Sequence, residues 1–219
     1  MNKNIIRIGA LMAVALIGSL KALAQTAEVT GTEMQTAVQT AAPSNVLKAS
    51  AGPGFIYSKM YLPHKVYKHH GSFDLDITYQ HTWRKGWGVG LNYAFNMANY
   101  NREFLITQNY IGPSAVYAFS KKRLRADMSL GIGYVMYAER VKVFNSRHRE
   151  QVLKGNENGF GIYMQVGAEY MITKHFGIGA QAALLSTNYP EPDVEGVMLE
   201  DEAYGIRYVS LLIGPRVYF

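Results

Sequence analysis

The 219-residue sequence has no cysteine, which excludes a disulfide framework, thiolate metal ligation and the lipidated cysteine of a lipoprotein. Charged residues make up only 17%, but 16 tyrosines and 21 glycines stand beside them, a composition unlike that of a disordered chain. Beyond the N-terminal stretch no apolar run is long enough for a membrane-crossing helix, so any insertion must be through strands. The formal charge of +6 is also weaker than it looks, because Lys3, Arg7 and Lys21 lie in that same stretch and their removal leaves about +3. Nucleic-acid binding has little support, since an exported protein does not meet DNA.

The opening residues, MNKNIIRIGALMAVALIGSLKALAQ, set a basic region at Lys3 and Arg7 before an apolar region from Ile8 to Leu20. Ala22-Leu23-Ala24 supplies a small-residue cleavage site, so residues 1–24 read as a secretory signal peptide with Gln25 as the mature start. Residues 25–43 are rich in Ala, Thr and Gln without a clean period, and read as a flexible periplasmic segment. A short helix plugging or capping a barrel is the alternative for that segment.

Residues 44–219 read as one domain of eight alternating strands. The last has an unbroken apolar row: Val209, Leu211, Ile213, Pro215, Val217 and Phe219 on one face, Tyr208, Ser210, Leu212, Gly214, Arg216 and Tyr218 on the other. The second is the cleanest, setting Phe73, Leu75, Ile77, Tyr79 and Trp83 against Asp74, Asp76, Thr78, Gln80 and Thr82. Each segment exceeds the roughly 9–11 residues a tilted strand needs to cross a bilayer. Short basic turns at Arg84–Gly86, Lys121–Arg123 and Lys174-His175 alternate with long links at Tyr61–Ser72, Ala98–Glu103, Arg140–Asn158 and Thr187–Ala203. Trp83, Trp87, Phe119, Phe176 and Phe219 all fall on the apolar face at the short-turn end, as an aromatic girdle at one membrane interface would.

A soluble barrel or sandwich would show the same alternation. Its second face would then be the solvated one, rich in Lys and Glu. Here that face carries Gly, Ala, Ser, Thr, Asn and Gln, which suit a crowded lumen, while the other row would be an aggregation hazard in water. The expected fold is therefore all-β, an eight-stranded antiparallel up-and-down transmembrane β-barrel with short periplasmic turns and longer extracellular loops.

Residues 46–219 resemble the small eight-stranded outer-membrane barrel superfamily of Gram-negative bacteria, the type of outer membrane proteins A and X. The resemblance rests on the signal peptide, the eight alternating strands, the basic short turns and the terminal Val217-Tyr218-Phe219. A Gly-Pro pair recurs at Gly52-Pro53, Gly112-Pro113 and Gly214-Pro215, where bulges or register devices are expected. The resemblance implies residence in the outer membrane among lipid and lipopolysaccharide, and a C-terminal strand read by the barrel-assembly machinery. It also implies a monomer, and it carries no catalytic motif across.

The inward face holds Lys48, Asp74, Asp76, Arg125, Asp127, Glu139, Glu169 and Arg216. Charges enclosed in a barrel must pair, so these read as a salt-bridge and hydrogen-bond network filling the lumen, with Lys48, Arg125, Asp127, Glu169 and Arg216 in its periplasmic half. Asp74 and Asp76 are expected to pair with loop Lys or Arg rather than to act as a hydrolytic acid pair. His81, beside Trp83 on the apolar face, lacks the His-x-Ser pair of lipid A deacylases. His64, His69, His70 and His148 have no metal-ligand spacing, and no cofactor is implied. Lys65, Lys68, Arg147 and Arg149 make two loops basic, while Glu191, Asp193, Glu195, Glu200, Asp201 and Glu202 make another acidic. Such loops can pair with each other, or the basic ones can touch lipopolysaccharide phosphates. The reading is thus a non-enzymatic barrel with a filled lumen and a structural or surface-interaction role. A narrow pore or carrier for a small hydrophobic molecule, and an outer-membrane lipid-modifying enzyme, are the alternatives.

Overall fold

The computed structural model describes residues 45–57, 60–62, 65–67, 70–83, 85–100, 104–144, 150–189 and 205–219. The proposed signal peptide, the 25–43 segment, His64, Lys68, His69, Arg147–Arg149 and the acidic residues of 190–204 lie outside them. Ten strands form: β1 (Asn45–Ile56), β2 (Met60–Leu62), β3 (Lys65–Tyr67), β4 (His70–Thr82), β5 (Trp87–Tyr100), β6 (Phe104–Lys121), β7 (Leu124–Phe144), β8 (Glu150–Met171), β9 (Phe176–Asn188) and β10 (Arg207–Tyr218). Eight of them close a barrel in the order β1-β10-β9-β8-β7-β6-β5-β4, every neighbour antiparallel, while β2 and β3 form a separate two-stranded hairpin. Closure between β1 and β10 leaves no free edge along the wall.

The polarity of this barrel is the reverse of that of a water-soluble protein. Ile213 is 61% exposed, and Leu130, Ile132, Ile162 and Leu211 likewise point outward. Lys48 and Arg216 are fully buried inside. Along β7 the outward row runs apolar from Leu124 to Met136. The twelve steps between them, about 3.3 Å each at a tilt of about 40°, cover roughly 30 Å, enough to cross the apolar band of a transmembrane barrel.

The short turns set the end of the barrel where the girdle residues sit. At the β4–β5 turn the Trp83 amide donates to the Trp87 carbonyl at 2.7 Å, and Gly86 adopts φ 84°, a left-handed conformation that only glycine takes freely. Trp83, Trp87, Phe119, Phe176 and Phe219 are all exposed at that end, Trp87 against Tyr117 with centroids 5.0 Å apart and Phe219 against Tyr79 at 6.4 Å.

Three expectations need correction. The link expected at Arg140–Asn158 is mostly strand: β7 runs to Phe144 and β8 starts at Glu150, paired throughout from Leu124↔Tyr170 to Phe144↔Glu150. Charge suggested a loop there, but Arg140-Val141-Lys142-Val143 keeps the two-residue period, and a ribbon standing clear of the bilayer tolerates charge on its faces. The Tyr61–Ser72 link similarly contains the β2–β3 hairpin and the first residues of β4. Finally, the Gly-Pro pairs introduce no bulge. Lys48 faces Arg216, Ala51 faces Ile213 and Gly54 faces Ser210, so the register runs unbroken past Gly52-Pro53 and Gly214-Pro215. It also runs unbroken from Ile111↔Tyr134 to Ser114↔Gly131. The glycine is what accommodates the proline: a Cβ on Gly214 would collide with the Ala49 carbonyl, and one on Gly52 with that of Leu211. The strands therefore stay straight and close where the proline cannot donate.

If the outward row faces lipid, Ile213→Arg lowers stability in phospholipid bilayers by about 2–4 kcal/mol. Ile213→Val stays near the parent. Urea titration of the refolded barrel, followed by its heat-dependent gel mobility, measures this; equal midpoints for parent and arginine variant would reverse the assignment of faces.

Candidate functional site

The ring order decides which inward residues can meet. β1 and β7 are four strands apart in either direction, so they stand on opposite walls. Lys48 leaves β1 and crosses the whole lumen to Asp127 on β7, its Nζ 2.6 Å from Oδ1. The same ammonium lies 2.6 Å from Glu169 Oε1 on β8. Lysine suits this span because a four-carbon stem carries a single compact charge that two carboxylates can share.

Arg216 on β10 is Lys48's direct cross-strand partner, so two cations oppose each other in the seam that closes the barrel. Like charges opposite one another destabilise a ladder. Glu169 removes the conflict by reaching between them, accepting from Arg216 Nε at 3.3 Å while it holds Lys48. The rest of the Arg216 guanidinium is bound to Ser50 Oγ (2.7 Å), Gln181 Oε1 (2.7 Å) and the carbonyls of Ala49, Gly214 and Pro215. The Tyr218 hydroxyl donates to Glu169 as well, and Gln80 Nε2 donates to Asp127 at 3.3 Å.

Arg125 stands apart from this set. It is the cross-strand partner of Glu169, yet that carboxylate is turned to Lys48, Arg216 and Tyr218. Its buried guanidinium has no hydrogen-bond partner among the described residues and lies over the Tyr218 ring, 5.3 Å from the centroid. That is cation–π geometry, attractive because the ring face is electron-rich.

Among the described residues Asp74 and Asp76 take neutral hydrogen-bond partners, while the loop cations Lys68, Arg147 and Arg149 expected to pair with them lie outside those residues. Asp76 accepts from Thr78 Oγ1 (2.9 Å), Gln181 Nε2 (2.9 Å) and the Tyr163 hydroxyl (2.8 Å). Asp74 accepts from Ser72 Oγ at 2.8 Å and also from Ser210 and Asn96. The physical reason is position: both acids point into a narrow lumen, where hydroxyls and amides of their own strand and of strands across the barrel reach them. Gln181 is the joint, receiving Arg216 on its oxygen and donating to Asp76 with its nitrogen. Glu139, farther toward the long-loop end, accepts from the Tyr137 hydroxyl at 2.6 Å.

Farther from the short turns the lumen becomes apolar and aromatic. Ile56, Ile106, Tyr110, Val135, Tyr163, Leu185, Tyr189 and Tyr208 form one buried cluster, with Tyr110 and Tyr163 5.2 Å apart. Gln108 of β6 ties it across to Thr187 Oγ1 at 3.3 Å and to the Tyr189 hydroxyl. Alternation alone puts Tyr163 and Gln181 on the inward face but shows no role for either in the network. The inward tyrosines were hidden because tyrosine also populates the outward row, at Tyr79, Tyr117, Tyr134 and Tyr170.

His81 contacts Trp83 edge-on at 5.6 Å, and its Nδ1 lies 2.9 Å from Asn45 Oδ1, its one hydrogen-bond partner among the described residues. The Tyr79 hydroxyl donates to the same Oδ1 at 2.9 Å, and among the described residues no serine or threonine hydroxyl is bonded to the imidazole. No cluster of three or more His, Asp or Glu side chains among the described residues could hold a metal.

The comparisons with known proteins agree with this geometry. Residues 10–204 match the family model described as outer membrane protein beta-barrel domain. The chain belongs to that family. Among solved structures, this outer-membrane barrel is similar to Neisserial surface protein A, with a TM-score of 0.55 and 15% identity over 80% of this chain and 97% of that one. OprG from Pseudomonas aeruginosa aligns at TM-score 0.45 and 12% identity over 81% and 97% of the two chains, and the outer membrane enzyme PagL at 0.44 and 15% over 80% and 99%. At these identities the likeness is one of fold. No curated protein matches the outer-membrane barrel.

Removing one member of the seam should separate its two carboxylates. Glu169→Gln leaves Lys48 and Arg216 opposed without a shared anion and is expected to cost about 3–5 kcal/mol, the range for breaking a buried ion pair. Asp127→Asn is expected to cost less, because Lys48 keeps Glu169. Urea unfolding in detergent or bilayers gives the order, and a larger loss for Asp127→Asn would contradict the seam assignment.

Proposed function

We propose that this outer-membrane barrel works without catalysis and without a passage through its lumen, in a structural or surface-interaction role exercised at its long-loop end. The observation that carries this reading is the set of bridges across the barrel. Lys48 to Asp127 joins opposite walls near the short turns, Tyr163 to Asp76 joins opposite walls farther along, and Gln108 to Tyr189 spans the far tier. A solute entering the lumen would have to break all three, the first at the cost of buried charge without a partner. Outside, Leu124, Ala168, Tyr170, Ile178, Ala180 and Ile213 line a groove of about 250 Å³ on the lipid-facing wall, so the space that a hydrophobic molecule would find there lies outside the barrel.

The reading without catalysis is supported by His81, whose Nδ1 shares the Asn45 Oδ1 with the Tyr79 phenol and bonds no serine or threonine hydroxyl among the described residues. The protein acts as a monomer, exported on residues 1–24 and folded by machinery that reads the strand ending at Phe219.

Two measurements test the reading. In planar bilayers the purified barrel is expected to show no sustained open channel, and a reproducible open state would overturn the filled lumen. The lipid A mass profile of cells expressing it should match that of cells without it. A new deacylated or acylated species would make it an enzyme.

A further inference from the structure

Above the apolar band, β7 and β8 continue as a ribbon whose two faces differ in charge. Arg140, Lys142 and Lys154 are exposed on the outward face, in line with Met136 and Ala138 below them. On the inward face are Tyr137, Glu139 and Glu157, with Glu139 packed over Gly155 and bonded to the Tyr137 hydroxyl. Arg140 and Lys154 are direct cross-strand partners. Like charges directly opposite destabilise a strand pair; Glu139 and Glu157 lie on the other face, and Glu150, whose register with Phe144 puts it on the cationic face, stands four residues beyond Lys154. Neither cation has a carboxylate partner among the described residues. On its other side Arg140 faces Leu105 of β6, which brings no charge.

The height of this pair fixes what can meet it. Arg140 stands four residues beyond Met136, about 10 Å along the membrane normal at the usual rise and tilt. The headgroup layer extends roughly 5–8 Å beyond the hydrocarbon, and long basic side chains lean back toward it. The T-shaped pair of Tyr134 and Phe160, 6.3 Å apart, marks the aromatic level just below.

We propose that Arg140 and Lys154 bind the phosphate of an anionic lipid of the surrounding leaflet. One phosphate placed between the two cations turns a repulsive pair into two charge-assisted contacts. The inference rests on the barrel being embedded in a bilayer and is independent of whether its lumen conducts.

The test uses the full chain in phosphatidylcholine nanodiscs doped with phosphorylated lipid A or with its dephosphorylated form, reading lipid A retained after detergent extraction by native mass spectrometry. The parent should retain phosphorylated lipid A preferentially, and Arg140→Gln with Lys154→Gln about tenfold less, as expected for removing two cations near an anionic surface. Lys85→Gln, at the opposite end, should match the parent. Equal retention by parent and double variant, or equal retention of the two lipid A forms by the parent, would overturn the site. Added inorganic phosphate should leave retention unchanged, and full displacement by it would assign the site to a free anion instead. Heat-dependent gel mobility verifies folding, and the single variants carry the test if the double variant does not fold.

Discussion

The closing seam of the barrel depends on one carboxylate. β1 and β10 come from the two ends of the strand sequence and must meet last around the ring, and where they meet they set Lys48 against Arg216. Neither cation could stay buried against the other alone. Glu169, carried on β8, enters between them at 2.6 and 3.3 Å, so the seam is secured from the wall rather than from its own two strands. Lys48 then extends that closure across the full diameter to Asp127. A buried ion pair gives little net stability over a well-packed apolar alternative, but its register is demanding. A one-residue slip at the seam would turn either Lys48 or Arg216 outward into lipid, which makes this arrangement a device for specifying closure.

Lumen width explains the rest of the interior. Eight strands leave a space that side chains just fill, and each tier solves the filling differently. Near the short turns charges are arranged in shared pairs. In the middle, Asp76 is satisfied by three neutral donors, and Gln181 couples that carboxylate to Arg216. Toward the loops, tyrosines and aliphatics pack, with Gln108 as the polar tie. Small residues make room for these bridges: the Cβ that Gly179 lacks would press on Glu169, and the one that Gly161 lacks would press on Val135 and Leu185.

The sequence read alone separated wall from lumen well, because alternation reports which way each side chain points. Lys48, Asp74, Asp76, Arg125, Asp127, Glu169 and Arg216 all point inward, and the five girdle aromatics outward at the short-turn end. What alternation cannot report is stagger between strands, and stagger decides who meets across the lumen. Lys48 and Asp127 are 79 residues apart, and no local pattern shows that they share a height. Arg125, directly beside Glu169 in register, loses that carboxylate to partners from other strands and settles on Tyr218 instead. The extension of β7 and β8 is hidden for a different reason. Charged residues point to a loop, although outside a bilayer they are compatible with a paired ribbon.

That ribbon shows the same two-residue period doing different work in two media. Within the bilayer it sorts apolar side chains outward from polar ones, because unpaired polar groups are costly in hydrocarbon. Beyond the bilayer nothing penalises exposure of charge, and the period sets Arg140, Lys142 and Lys154 on the face continuous with the lipid-facing row, with Glu150 at its far end. Glu139 and Glu157 fall on the face continuous with the lumen. An acid in place of either Arg140 or Lys154 would have made an opposite-charge cross-strand pair that stabilises the hairpin on its own. The like-charged pair gives up that local gain, and it is the pair that stands over the headgroups.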